Sequence, residues 1–167
     1  DEIGLGESHA GVIVLDTTAI SGTPAATYFK IENDFTLSIG LTPNRPDAAS
    51  HIGVARDLSA VLNTNALTTD KTVTRVVWPN TDSFQASSVT PIVSVKLESE
   101  ACTRYSGVHI SDIKVGPSPD WLQNSLKAIG LKPINSIVDI TNFVLYEMGQ
   151  PLHAFDANEI KGNKIVV

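Results

Sequence analysis

With 167 residues, 42% of them hydrophobic and 18% charged, the chain has the composition of an ordinary globular protein and enough material for one domain or two small ones. Its net charge of −6 excludes a protein that grips nucleic acid over its whole surface, and no apolar run reaches the roughly 18 residues of a membrane span. A single cysteine, Cys102, makes neither an internal disulfide nor a cysteine-based zinc site, which favours a reducing, cytoplasmic setting.

The charge is uneven. Residues 1–64 hold eight acidic and three basic side chains, whereas residues 101–167 hold six of each. A phosphate backbone is repelled by the first part and tolerated by the second. The chain opens on Asp1 rather than Met and closes on the apolar run KIVV, so a fragment cut from a longer protein is expected.

The first elements are short. A glycine-punctuated opening, GLGESHAG, leads into an apolar run at residues 12–15 that reads as a strand, followed by a turn through SGTPA. In DFTLSIGL, residues 34–41, the side chains of Phe35, Leu37, Ile39 and Leu41 alternate, the period-two pattern of a half-buried strand. Two prolines in TPNRPD end it. Ser50 or Asp47 then caps a helix over SHIGVARDLSAVLN, with Ile52, Ala55, Leu58 (or Ser59) and Leu62 at helical spacing.

Residues 63–88 are rich in Thr, Ser and Asn and carry little periodicity. They read as a linker or peripheral segment, extended across residues 72–78 where Val and Thr gather. Strands are predicted at IVSVKL (92–97) and YSGVHISDIKV (105–115). GPSPDWLQNSLKAIG gives a helix with Ser118 as cap, Pro119 and Asp120 in its first turn, and Gly130 as its stop. Its buried stripe is Trp121 or Leu122 with Leu126 and Ile129. A second helix runs through Ile137, Ile140, Val144 and Met148, read as core, until Gly149 and Pro151 stop it. A turn at Lys161, Gly162 and Asn163 leads into a closing strand. The fold class expected is α+β.

Several side chains admit two readings. Asp139, Thr141 and Asn142 interrupt the apolar helix, either as satisfied polar groups or as directional donors and acceptors in a pocket. His153 follows the Gly149–Pro151 turn, which can bring it back beside that helix; a lone histidine is otherwise a packed or surface residue. His153 and Asp156 lack a third ligand, so no metal is expected there. Arg45 either holds a phosphate or carboxylate or pairs locally to fix its corner. Cys102 beside Arg104 is an activated thiol or a buried structural one. Trp78 and Trp121 read as core or rim anchors. No GxSxG elbow, P-loop or GxGxxG is present.

Three stretches together resemble the beta subunit of bacterial phenylalanyl-tRNA synthetase: DEIGLG at the opening, LTPNRPDAASHIGVARDLSAVL (41–62), and RYSGVHISDIKVGPSPDWLQNSLKAIGLKPINSIVDITNFVLYEMGQPLHAFD (104–156). Ala48 departs from the family pattern, where a cysteine is common. The resemblance implies that residues 1–64 are the second piece of a small helical domain and residues 91–167 the N-terminal part of an editing domain, with residues 65–90 left between them as a linker or peripheral segment. It implies hydrolysis of tyrosine wrongly joined to phenylalanine tRNA, with Thr141, Asn142 and His153 in the editing pocket and a tyrosine-recognising glutamate beyond Val167. It also implies an alpha-subunit partner in a heterotetramer and tRNA as ligand. ATP and magnesium would serve the whole enzyme at a synthetic site outside this chain, and no cofactor is expected here. The alternative is a non-catalytic scaffold or tRNA-contact module, because fold alone does not decide function.

Overall fold

A computed structural model describes residues 11–31, 33–69, 73–87 and 92–167. The DEIGLG opening lies outside the described residues, as do parts of the predicted linker. The chain separates into two compact units, residues 1–35 and 36–167.

In the first unit, helix α1 is a single turn, Ala25–Tyr28. Ahead of it, Asp16 closes a local turn by accepting hydrogen bonds from the Thr18 N–H and hydroxyl at 2.8 and 2.7 Å, which hold its carboxyl below the usual range. Residues 12–15 form no strand, and Val12 and Val14 stand fully in solvent.

The second unit is α+β. It contains helices α2 (His51–Thr69), α3 (Asp120–Ala128) and α4 (Ser136–Met148), and strands β1 (Ser94–Lys96) and β2 (Lys164–Val166). A 3₁₀ turn, Pro46–Ala48, makes the proline corner before α2. Ser50 caps α2 by accepting from the Gly53 N–H at 2.9 Å, one of the two caps expected. The helix runs on past the expected end near residue 63. Its next strap is unexpected: the Asn63 amide pairs with both the N–H and the carbonyl of Thr74, at 2.7 and 2.8 Å. One side-chain amide thus does for Thr74 what a neighbouring strand would do.

Strands β1 and β2 pair in parallel, Val95 opposite Ile165, with Val167 continuing the ladder to Lys96 at 2.9 Å. Parallel pairing requires a long crossover, and α3 and α4 lie within this one. The strands predicted at 34–41 and 105–115 do not form. Their alternation supplies an apolar face, but a strand also needs a partner backbone, and none pairs with them among the described residues. Phe35 is accordingly 92% exposed.

The apolar core among the described residues is small: Ala48, Ile52, Leu122 and Leu126. Leu122 and Leu126 face α4, as their spacing predicts, while Trp121 sits at the rim with its ring edge-on to Phe143 at 5.5 Å. Helix α4 corrects the sequence reading. Its predicted core row is half-buried or exposed, and the one fully buried residue of α4 is Asp139. The reason is the direction of approach. Helix α3 packs on the face carrying Asp139 and Phe143, four residues apart, rather than on the Ile140–Val144 side. Asn135 caps α4, its side-chain oxygen accepting from the N–H groups of Ile137 and Val138, both at 3.1 Å.

Candidate functional site on helix α4

The candidate site residues lie on α4 and on the segment that leaves it. Gly149 ends the helix at φ 74°, ψ 17°, a left-handed backbone that a residue with a Cβ adopts at a cost. Here the turn is also crowded, because an added Cβ would stand 3.2 Å from Ser50 Cβ. The α2 N-terminus and the α4 C-terminus therefore meet. His51 Nδ1 lies 2.9 Å from the Tyr146 carbonyl, which can only accept, so Nδ1 carries the proton.

Thr141 and Asn142 occupy the second turn of α4. The Thr141 hydroxyl donates to the Val138 carbonyl at 2.8 Å, the locally satisfied arrangement, though its lone pairs remain available to a donor. Asn142 differs. Its side chain is half-buried and forms no hydrogen bond among the described residues, so two donors and an acceptor are left for something else. His153 lies beyond the turn on an irregular, exposed segment, with the Phe155 ring as its neighbour at 6.4 Å. No hydrogen bond joins it to Thr141 or Asn142. Asp156 caps the following 3₁₀ turn by accepting from the Asn158 N–H at 2.9 Å, a structural role.

The remaining candidates resolve differently. Arg45 is taken up locally: its Nε and Nη2 reach both Asp47 oxygens at 2.9 and 3.0 Å, and Nη2 reaches Asp57 at 2.8 Å. Arg56 adds a contact to Asp47 at 3.0 Å. Two arginines facing two aspartates leave no surplus positive charge for a phosphate. The Arg45 hydrogen bond holds the Asp47 carboxyl below its ordinary value, and the aspartates in turn raise Arg45. For a carboxyl depressed in the folded state, the contribution to stability is complete above the unfolded value and disappears as pH falls through the folded one. The stability difference between the parent chain and Asp47→Asn should therefore be greatest at neutral pH and low salt. It should shrink in 1 M salt and vanish in acid, as read by urea denaturation across pH.

Cys102 is half-buried, its Sγ 3.5 Å from the Arg104 carbonyl. A groove of about 300 Å³ runs between α2 and residues 74–77, with Ile52, Leu58 and Leu62 along it and His51 and Glu147 at one end. None of Thr141, Asn142 or His153 lines it. Among the described residues no three His, Cys, Asp or Glu side chains gather as metal ligands, and no helix is long and apolar enough to cross a membrane.

One residue was given another role by the sequence, while the buried Asp139 takes the satisfied-polar reading it was offered. Ser118, expected to cap α3, donates instead to the buried Asp139 carboxylate. The available signal was the i, i+4 relation of Asp139 to Phe143, which places a carboxylate on the face that meets α3.

Comparison with known proteins adds the following. Residues 101–167 match the B3/4 domain family. Along its whole length the chain is 49% identical to the phenylalanine–tRNA ligase beta subunit of Bacteroides fragilis, over 168 residues that make up 20% of that protein. It is 50% identical to the beta subunit of the same name from Porphyromonas gingivalis over 99% of the chain and 20% of the relative. For Chlorobium luteolum the figures are 43%, 100% and 19%. The chain thus spans about a fifth of the length of these relatives.

Proposed function

Because the chain belongs, along its whole length, to the family of bacterial phenylalanine–tRNA ligase beta subunits, we propose that it contributes to hydrolytic editing of tyrosine mischarged on phenylalanine tRNA. The intact protein is then an ATP-dependent, cytoplasmic ligase in which this subunit pairs with an alpha subunit in a heterotetramer and binds tRNA. Residues 1–64 form the second piece of a helical structural domain, residues 65–90 a linker or peripheral segment into which the end of α2 runs, and residues 91–167 the N-terminal part of the editing domain.

The chemistry explains the need. A pocket that accepts phenylalanine rejects tyrosine poorly, since the two differ by one hydroxyl, so a second site must hydrolyse the wrong ester. Water adds to the ester carbonyl, the acyl–oxygen bond breaks, and tyrosine leaves the terminal ribose hydroxyl of the tRNA. The observation that carries the reading is Asn142, half-buried on a packed helix with its amide uncommitted. Such an amide can hold the ester or the attacking water, with Thr141 beside it accepting through its free lone pairs. His153, exposed and unbonded, serves as a positioning and hydrogen-bonding group.

ATP and magnesium do not fit the residues described here. No cluster of acidic or histidine ligands is present among them, and the Arg45 guanidinium is already taken up by Asp47 and Asp57.

In the intact ligase carrying this sequence, Asn142→Ala and His153→Ala should each slow release of tyrosine from tyrosyl-tRNA, by about 10²-fold for Asn142. Tyrosyl-tRNA should accumulate while phenylalanine activation stays near its parental rate. Unchanged clearance in both variants would leave the scaffold or tRNA-contact reading in its place.

A further inference from the structure

Asp139 is 0% exposed, yet it sits on a helix whose neighbouring apolar side chains are largely half-buried or exposed. Its two oxygens are spoken for by different segments. Oδ2 accepts from the Ser118 hydroxyl at 2.5 Å, and Oδ1 accepts from the Ile134 N–H at 2.8 Å. Ser118 is itself buried, and its carbonyl accepts from the Gln123 side chain at 2.7 Å, which ties it to α3. The Ser136 N–H donates to the Gly116 carbonyl at 2.8 Å. One carboxylate therefore joins the turn before α3, the loop before α4, and α4 itself.

We infer that Ser118 and Asp139 are positioning residues for Asn142, and this rests on the editing role proposed above. Asn142 lies three residues after Asp139, about 4.5 Å along the helix axis and about 60° around it. A side chain at a helix radius of about 5 Å moves by about 1–2 Å when the helix turns by 10–20°. Displacements of that size cost up to about 10²-fold in a positioned reaction. The apolar side chains of α4 are half-buried or exposed, and non-directional apolar contact sets a helix's rotation less sharply than a hydrogen bond does. A hydrogen-bonded carboxylate on the packed face is directional and fixes the rotation.

The test compares Asp139→Asn, Asp139→Ala, Ser118→Ala and Asn142→Ala in the intact ligase, at a temperature where circular dichroism shows every assayed variant folded. Asparagine keeps both contacts, its oxygen accepting from Ile134 while its amide donates to a Ser118 hydroxyl that now accepts. Its rate of tyrosyl-tRNA hydrolysis should stay within about threefold of the parent. Asp139→Ala and Ser118→Ala should lose tenfold or more in kcat, with KM for tyrosyl-tRNA within about twofold and phenylalanylation unchanged. Should Asp139→Ala not fold, Ser118→Ala, which removes one hydroxyl, decides alone. Parental kcat in a folded Ser118→Ala variant, alongside a slowed Asn142→Ala, overturns the positioning role and leaves the editing role standing. Parental kcat in Asn142→Ala overturns the editing role itself, and the inference with it.

Discussion

Gly53→Val should destabilise the chain by about 3 kcal/mol, the upper part of the range for overpacking a well-packed position. A Cβ at Gly53 would stand 2.7 Å from Ala48 Cα and 2.9 Å from Ala48 C, and closer still to the Asp47 carbonyl oxygen. These are backbone atoms of the proline corner, so no side chain can rotate out of the way. Gly53 is thus where the first turn of α2 lies directly on the 3₁₀ turn. The same contact keeps Asp47 placed for Arg45 and Arg56. Alanine should cost less, because its better helix propensity returns about 1 kcal/mol. Thermal denaturation reads both variants. A valine variant with parental stability would mean that the corner moves aside freely and does not pin the helix.

Leu126→Ala should cost about 3 kcal/mol, with the urea midpoint lowered and the slope of the transition unchanged. Leu126 is 1% exposed and is one of four apolar side chains that make up the buried core among the described residues. With so few members, each carries a large share of a net stability that in globular domains is only about 5–15 kcal/mol. The void would open between α3 and α4, beside the Trp121–Phe143 contact and near the Ser118–Asp139 hydrogen bond. On the editing role proposed above, this variant should also weaken tyrosine clearance in the intact ligase before it weakens phenylalanine activation. A loss of stability below about 1 kcal/mol would show that the surrounding side chains collapse to fill the space.

The signals that proved legible in the amino-acid order act over a few residues. Ser50 caps α2 through a donor three positions on, and Gly149 stops α4 because its own φ is left-handed. The spacing of Leu122 and Leu126 likewise identifies the buried side of α3, and the Lys161–Asn163 turn leads into β2 as expected. Each depends on local torsions, a local hydrogen bond or one helical period. The resemblance in the 104–156 stretch agrees with the family match, and Thr141, Asn142 and His153 were named from it.

What failed concerns partners distant in the chain. Residues 34–41 and 105–115 alternate as strands do, but no backbone among the described residues pairs with them, while residues 94–96 find theirs seventy positions away. Ser118 looked like a cap by its place before Pro119, and it is bonded to a carboxylate 21 residues on. Asn63 lay in a stretch without pattern, and its amide clamps Thr74.

The sequence by itself determined where α2 begins, where α4 stops, the α+β class, and the family to which the chain belongs. Tertiary structure alone decided which face of α4 is buried, and thus that Asp139 and not the Ile140–Val144 row meets α3. It also separated Thr141, bonded within its own helix, from Asn142, whose amide is uncommitted. The physical reason is range. Torsional preference and helical period are properties of neighbours, whereas burial and hydrogen-bond partnership are settled by whichever distant segment packs against a face.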